Sequence, residues 1–328
     1  MIRIVWIVLA AAIAWSVWWF VGSTALERQL RSGIEEMRAA GWEIALDDLS
    51  VRGFPNRFDT TFDTIRATDP DRNVTWEAPF FQILALSYRP NRIIAILPDT
   101  QRIEGDFGTV DVATDRARGS VLFRPNTALT LDHSEFVIEE LDLAGPEGRY
   151  TMEELLFATR LPVGSDDGSV QNVGLTIRNL DLSGGLEETP GPARIDYATL
   201  NADISLDAPL DRHAFSEPPR ITGMELTTFR IDWGEVRLTA EGSVEIGADG
   251  RPEGVIDVEL ENWEAALDRA AALGLVEQDD VAGIRQAAGL LSGFGGGGET
   301  MALPLTFRDG QMTFGPVPLG PAPRLPPS

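Results

Sequence analysis

The sequence contains neither cysteine nor lysine, and it has two histidines among its 328 residues. Without cysteine there is no thiol nucleophile, no cysteine–zinc site and no disulfide. Without lysine there is no P-loop and no Schiff-base chemistry, because both need the lysine amine. Several large classes of enzyme are therefore excluded. The absence of cysteine is compatible with an oxidising compartment.

Positive charge is also scarce. The chain carries 51 acidic residues against 27 basic ones, which gives a formal net charge of −24. A field of this sign repels nucleic acid and anionic lipid headgroups, so we expect no nucleic-acid partner. The composition is 43% hydrophobic, which is enough for a sizeable core. The length allows one large β-rich domain or two smaller ones.

Motifs for catalysis or metal binding are missing too. His133 and His213 are far apart in sequence, and no HExxH pattern exists. The glycine run 295–298 lacks the GK[ST] of a phosphate loop, and the segment Asp69 to Asn73 lacks the later glycine and glutamate of a calcium loop. We predict no metal or nucleotide cofactor, no catalytic residue and no enzymatic activity.

The longest apolar run lies near the N-terminus. Residues Ile4 to Gly22 form 19 residues without a charge, and a helix of that length spans about 28 Å, close to the thickness of a bilayer core. Arg3 and the amino terminus precede the run, which favours a cytoplasmic N-terminus. The predicted aromatic anchors in this run are Trp6, Trp15, Trp18, Trp19 and Phe20.

A cleaved signal peptide is the alternative interpretation of the same run. Ser23, Thr24 and Ala25 resemble a small-x-small cleavage site. However, the run is longer than the usual apolar region of about 7–15 residues, and bulky aromatic residues lie just before the site. The pattern favours an uncleaved anchor.

Beyond the anchor, the hydrophobic period changes twice. Residues 24–40 repeat every 3.6 residues, which predicts an amphipathic helix that ends at Gly41. From Trp42 the period is 2, most clearly over Glu235 to Ile246, where apolar and polar residues alternate. Several runs change parity midway, as β-bulges and bends do. We predict a mainly β fold with some α, built on a long, bent antiparallel sheet that forms a groove or a sandwich.

A hairpin at 80–97 is apolar at nearly every position, with a predicted turn at Arg89 to Arg92. This hairpin belongs either to a closed core or to an apolar cavity. The candidate residues for an apolar groove are Phe80, Phe81, Ile83, Leu84, Leu86, Ile93, Ile94 and Ile96.

The helical period returns near the C-terminus. Asn262 is a predicted cap for a helix that runs to residue 273, and a second helix is predicted over 280–292. The predicted organisation is a membrane anchor at 1–23, an amphipathic helix at 24–41, a periplasmic β-rich domain at 42–320 that includes a helical hairpin at 262–293, and a proline-rich tail at 321–328.

Three stretches carry a family resemblance: Gly53 to Thr60, Trp76 to Gln101, and Pro304 to Leu325. With the N-terminal anchor, they resemble the uncharacterised bacterial family called domain of unknown function 2125, which is typical of alphaproteobacteria. That family brings no assigned catalytic residues. The order of one anchor followed by long β-strands is also similar to AsmA-like envelope proteins, which are associated with phospholipid traffic; this second likeness is an analogy of architecture.

The sequence therefore predicts a single-pass inner-membrane protein whose bulk is periplasmic. The leading hypothesis for its function is the binding or guiding of a lipid or another apolar envelope component. A non-enzymatic scaffold for protein partners is the alternative, and an enzyme is the third option. The predicted partners are the lipid bilayer, a lipid ligand and envelope proteins.

We expect residues 4–22 to retain the full-length protein in the membrane. Carbonate extraction of fractionated cells should leave the intact chain in the membrane pellet, because the uncharged run is long enough to span the bilayer. Release of full-length protein into the soluble fraction would contradict the anchor. A mature N-terminus at Leu26 would favour the signal peptide.

Overall fold

A computed structural model describes residues 2–165, 168–184, 193–214, 216–272, 281–286, 289 and 299–325. Contacts divide the chain into two compact units. The first comprises Met1–Phe123 and Phe136–Pro146, and the second comprises Arg124–Glu135 and Glu147–Ser328. Antiparallel strands dominate both units, which confirms the mainly β prediction. The proposed domain boundaries stay a prediction.

One continuous helix, α1 (Ile2–Ala39), joins the predicted anchor and the predicted amphipathic helix. It ends as predicted at Gly41, whose φ of 100° favours glycine. The amide of Trp42 donates to the carbonyl of Met37 at 3.1 Å, and the amide of Gly41 donates to the carbonyl of Arg38 at 3.0 Å. These two bonds form a Schellman motif, which satisfies carbonyls at the helix end.

The first unit continues after α1 with short and long strands. They are β1 (Glu43–Ala45), β2 (Asp48–Arg52), β3 (Arg57–Asp69), β4 (Val74–Leu86), β5 (Arg89–Leu97), β6 (Thr100–Gly105), β7 (Gly108–Ala113), β8 (Arg116–Phe123) and β9 (Leu131–Gly145). The first residues of β9 belong to the second unit.

The long β3–β4 pair is the centre of the first unit. Its ladder is interrupted opposite Pro79, which has no amide hydrogen, where Thr64 adopts a φ of 50°. On either side of this point the neighbouring strands differ: β1 and β2 pair with separate halves of β3, and β6 and β5 pair with separate halves of β4. Other pairings in this unit include β5 with β8, β6 with β7, and β7 with β9.

Among its described residues, the second unit includes a helix between long strands. Its elements are β10 (Gly148–Arg160), β11 (Val170–Asp181), β12 (Arg194–Leu206), β13 (Ile221–Trp233), β14 (Val236–Ile246), β15 (Pro252–Glu261), α2 (Trp263–Ala272), β16 (Thr300–Arg308), β17 (Gln311–Phe314) and β18 (Val317–Pro321). Residues 281–286 are also helical.

These strands form an antiparallel meander in which β10 to β18 each pair with the next strand in sequence. Two predicted changes of parity coincide with irregular backbone, at Asn179, which has a φ of 49°, and between Leu226 and Phe229, where the β13–β14 register shifts. The β12–β13 ladder shifts at the same place, because Asn201 pairs with Thr228 and Ala202 pairs with Leu226, which leaves Thr227 as the extra residue of β13.

One local prediction needs correction. The apolar hairpin exists, but its turn consists of Ser87 and Tyr88, and Arg89 already begins β5. The reason is that a residue before proline prefers extended backbone, and proline is tolerated near the start of a strand. Asn262 occupies the predicted cap position before α2, because its carbonyl accepts from the amide of Ala266 at 3.1 Å, and its side-chain amide donates to the carbonyl of Glu235 at 2.5 Å. Residues 273–280, part of 287–292 and Gly293 lie outside the described residues.

Candidate apolar binding faces and the anchor junction

The far end of the predicted membrane span is attached to the β2–β3 loop. The indole Nε1 of Trp15 donates to the carbonyl of Pro55, and the indole Nε1 of Trp19 donates to the carbonyl of Arg57, each at 2.8 Å. A proline carbonyl and a strand-end carbonyl are thus satisfied by the helix. These two bonds hold the loop against α1 with a defined orientation.

Beside these two hydrogen bonds, aromatic rings of α1 stack on aromatic rings of the loop and of β3. Phe54 stacks on Phe20 with ring centroids 5.5 Å apart, and Phe58 stacks on Trp19 at 5.8 Å. Trp19 is only 4% exposed, so this residue packs within the protein and differs from the other predicted anchors. Trp6, Trp15, Trp18 and Phe20 remain exposed on α1. The junction is therefore an aromatic cluster shared by helix and sheet.

Gly22 allows this close packing. A Cβ atom added at Gly22 would lie 3.2 Å from the ring of Phe58, which is tighter than ordinary contact. At Gly33, further along the same helix, an added Cβ atom would meet nothing within 4 Å.

The eight predicted groove residues do not share one face of the sheet. Residues that pair directly across antiparallel strands point to the same side. Phe81 and Ile83 pair with Phe62 and Thr60, whereas Leu84 pairs with Ile94. The first side, defined here as the helix-side face, holds Phe81, Ile83 and Ile93, and the opposite face holds Phe80, Leu84, Leu86, Ile94 and Ile96.

On the helix-side face the packing is partly closed. Leu49 is 1% exposed, Phe62 is buried, and the rings of Phe62 and Phe81 are 5.7 Å apart. On the opposite face, Phe80, Leu84, Leu86, Ile94 and Ile96 are all half-buried. Phe81, Ile83 and Ile93 on the helix-side face are half-buried as well, so the candidate residues on both faces are partly open to an apolar ligand.

The second unit has a larger apolar face, defined here as the meander face. The pairings place apolar residues of successive strands side by side, because each register keeps the same parity across the ladder. Its members are Leu155, Phe157, Val173, Leu175, Ile177, Ala198, Leu200, Ala202, Ile204, Met224, Leu226, Phe229, Ile231, Leu238, Ala240, Val244, Ile256, Val258, Leu260, Met301, Leu303, Leu305, Phe307, Met312 and Phe314.

Two clusters lie at opposite ends of these strands. At one end, Trp263 and Leu267 of α2 pack on Met301. At the other end, Ala322 packs with Val244 and Phe307. Between the clusters, the middle of the face remains half-buried, at Leu200, Phe229, Ala240, Val258 and Leu303. The middle is thus accessible to an apolar partner.

Next to α2 the meander face deepens into an apolar pocket of about 330 Å³. Its lining residues are Ile231, Trp233, Val236, Leu238, Leu260, Trp263, Ala266, Leu267, Ala270, Ile284 and Met301. Beside the pocket, the buried guanidinium of Arg269 lies over the ring of Trp233, 5.1 Å from its centroid, and donates to the carbonyl of Trp233. These contacts hold α2 against the sheet.

The reverse side of the meander is polar. A shallow depression of about 490 Å³ on this side includes Arg230, Thr239, Glu241, Asp257 and Glu259 among its lining residues. Its carboxylates repel anionic ligands. The sheet of the second unit is therefore amphipathic, with one apolar and one acidic side.

Asp232 is the best-paired carboxylate on this polar side. Arg230 contacts it at 2.7 Å, and the Nε of Arg237, directly opposite on β14, donates to it at 2.8 Å. Partial burial by itself would raise the pKa of Asp232, but the hydrogen bonds and charges of Arg230 and Arg237 outweigh it and hold this pKa below its ordinary value.

Catalytic groups are not assembled in the part of the chain that the structure describes. No group of three or more histidine, aspartate or glutamate residues there could hold a metal ion. The ring nitrogen of His133 contacts the adjacent Asp132 at 3.1 Å, and His213 is exposed beside Arg212. The predictions of no cofactor and no catalysis remain predictions.

Sequence reasoning missed the meander face as a site. The alternation over Glu235 to Ile246 did indicate one buried side, and the same signal was present in the neighbouring strands. The alternation within each strand does not reveal the pairing register between strands. That register places the apolar residues of neighbouring strands on the same side of the sheet. The pocket beside α2 was missed because Trp233 and Trp263 are distant in sequence.

An apolar helix long enough to cross a membrane and an amphipathic antiparallel sheet indicate a β-rich protein with a single-pass membrane anchor. α1 is the helix in the described residues that is long and apolar enough to cross a membrane. The chain belongs to the family described as an uncharacterized protein conserved in bacteria, domain of unknown function 2125, whose profile matches residues 19–323. The resemblance based on three stretches is thereby confirmed, while the likeness to AsmA-like proteins stays an analogy. No curated protein matches the chain.

Substitution of Gly22 by leucine should loosen the junction between α1 and the sheet. The larger side chain displaces Phe58 from the helix, whereas leucine at Gly33 enters open space and improves helix propensity. We expect the Gly22→Leu protein in detergent to lose roughly 1–3 kcal/mol of stability, as overpacked sites do. Thermal unfolding of both variants measures the difference. Equal melting temperatures for Gly22→Leu and Gly33→Leu would contradict the packing.

Substitution of Asp232 by asparagine should make the protein less stable at neutral pH, by about 1 kcal/mol. Because the folded-state pKa of Asp232 is lowered, its stabilising contribution is present above the unfolded-state value of about 4 and is lost as pH falls through the folded-state pKa. The difference between wild type and Asp232→Asn should thus shrink in acid.

Urea unfolding at pH values on both sides of this range measures the effect. Asp257→Asn is the matched control, because Asp257 is exposed on the same side and has no salt bridge among the described residues. A penalty for Asp232→Asn that does not depend on pH would contradict the ion-pair explanation.

Proposed function

We propose that this protein is a non-enzymatic, membrane-anchored periplasmic protein that binds or guides the acyl chains of a lipid or another apolar envelope component. The observation that carries the proposal is the meander face, which is continuous in register and half-buried in its middle. Anchoring by α1 keeps the sheet beside a source of lipid.

The energetics favour an apolar ligand. Each methylene that leaves water contributes about 0.8 kcal/mol. The free energy gained by burying an extended acyl chain along the face therefore outweighs the free-energy cost of immobilising the chain. Such a chain runs across strands whose side chains at Leu200, Phe229 and Val258 are partly open to solvent. A polar ligand has little to bind there.

The pocket beside α2 supports the same assignment. Its volume of about 330 Å³ is at the lower end of the range of ligand pockets, about 300–1,000 Å³. Its lining is apolar and includes Trp233 and Trp263. The end of a chain that lies on the meander face fits this pocket, since the two are continuous through Leu238 and Leu260.

The periplasmic location rests on the N-terminal segment. Arg3 before the apolar run favours a cytoplasmic N-terminus. Cleavage after Ala25 removes Trp15, Trp19 and Phe20, which supply the hydrogen bonds and ring contacts of the junction. We therefore propose that the anchor is retained and that the sheet lies on the opposite side of the inner membrane.

A charge in the middle of the meander face tests the proposal. Native mass spectrometry and lipid extraction of the detergent-purified full-length protein should detect lipid on the wild type. Phe229→Glu should lose most of it, because the carboxylate must be desolvated under the chain. Thr228→Glu is the matched control, since Thr228 pairs with Asn201 on the polar side.

Circular dichroism must show that both variants keep the β-rich fold. If the wild type carries no lipid, or if Phe229→Glu and Thr228→Glu retain equal amounts, acyl binding by this face is wrong. A scaffold that holds protein partners at the membrane then replaces it.

A further inference from the structure

We infer that a basic and aromatic edge of the first unit, separate from the meander face, docks directly on an anionic bilayer surface. This edge, the membrane rim, consists of Arg52, Phe54, Arg57, Tyr88, Arg89 and Arg92. The contact does not require acyl binding by the second unit.

Two turns form the rim. The β2–β3 loop contains Phe54, and the β4–β5 turn contains Tyr88. The backbone joins them, since the amide of Ser87 donates to the carbonyl of Asn56 at 3.0 Å and Arg57 pairs with Leu86. Both turns therefore lie at the same end of the β3–β4 ladder.

The junction with α1 determines the level of the rim relative to the bilayer. Trp15, which holds the carbonyl of Pro55, lies about 10 Å before Gly22 along an ideal helix. The loop thus contacts α1 inside the apolar run. When α1 spans a membrane, this contact holds the loop against the bilayer, no farther from the bilayer centre than the lipid headgroups.

The exposed side chains suit that level. Phe54 is 49% exposed and Tyr88 is 56% exposed, although both are large aromatic residues. Aromatic side chains are favourable at membrane–water interfaces, where one part of the ring is apolar and another is wet. In water alone this exposure is unfavourable.

The charge of the rim is opposite to that of the whole chain. Arg57 pairs with Asp59 at 3.0 Å, whereas Arg52, Arg89 and Arg92 have no salt bridge within the described ranges. The rim is therefore positive in a protein of net charge −24. Unpaired arginines at headgroup level attract phosphate groups, which they can bind through two N–H donors at once. The general repulsion of anionic lipid expected from the composition does not hold at this edge.

The absence of cysteine allows a clean test, because one introduced thiol labels one site. Asn56→Cys places a fluorophore in the rim loop without altering a rim side chain, since Asn56 is exposed there. Asp71→Cys places the same fluorophore in the turn at the other end of β3, about 40 Å away along the strand. The labelled full-length proteins are inserted into nanodiscs with spin-labelled headgroups.

We expect several-fold stronger quenching at position 56 than at position 71. Quenching at position 56 should be stronger in equal mixtures of phosphatidylcholine and phosphatidylglycerol than in phosphatidylcholine alone. The combined substitution of Arg52, Arg89 and Arg92 by glutamine should abolish this dependence on phosphatidylglycerol. Arg72→Gln, at the far end of β3, is the charge control and should leave it unchanged.

Equal, weak quenching at both positions would show that the membrane rim does not contact the bilayer surface, which overturns the proposal. Strong quenching at position 56 that is the same with and without phosphatidylglycerol, and that does not change on substitution of the arginines, would overturn the recognition of anionic headgroups. A spectral change at position 56 that depends on protein concentration and not on lipid would show that a second copy covers the edge, which also overturns the proposal. Each outcome is independent of the amount of lipid that co-purifies with the meander face.

Discussion

The pairing register of the long antiparallel strands is the constraint on which the rest of this structure depends. Side chains alternate between the two sides of a strand, so a shift of one residue would exchange the apolar and the acidic sides. Leu200, Phe229, Ala240 and Val258 lie side by side because each ladder keeps the same parity. The amphipathic character of the second unit, and with it the proposed acyl binding, follows from that agreement.

Irregular backbone preserves this agreement where a straight strand would lose it. Between Leu226 and Phe229 the register shifts, and the apolar residues on both sides of the shift still face the same way. In the first unit, Pro79 and Thr64 interrupt the β3–β4 ladder, and different strands pair on each side of them. These bends explain why the apolar pattern changes parity in the sequence without a change of face in the fold.

The junction at α1 relates the membrane anchor to the first unit. Hydrogen bonds from Trp15 and Trp19 and the ring of Phe58 against Gly22 make the β2–β3 loop part of the helix surface. A flexible tether would leave the distance between sheet and bilayer undefined. Here the contacts determine which edge of the first unit lies beside the anchor, and that edge carries Arg52, Arg89 and Arg92.

Local patterns predicted the helix, its end at Gly41, the β-rich body and the family, because each depends on neighbouring residues. The apolar run from Ile4 to Gly22 predicts a helix long enough to span a membrane, and the alternation over Glu235 to Ile246 predicts a one-sided strand. The hairpin at 80–97 was also predicted from its apolar residues. Its turn was predicted around Pro90, whereas Pro90 already lies in β5.

Only the tertiary structure decided which faces these elements share. Phe80 and Phe81 are adjacent in sequence and lie on opposite sides of β4, so a list of apolar residues from the sequence could not define a groove. Trp233 and Trp263 line one pocket, and Phe54 meets Phe20, through contacts between distant segments. Such contacts depend on strand register and helix packing, which arise from the whole fold, whereas periodicity, helix ends and span length depend on a few consecutive residues.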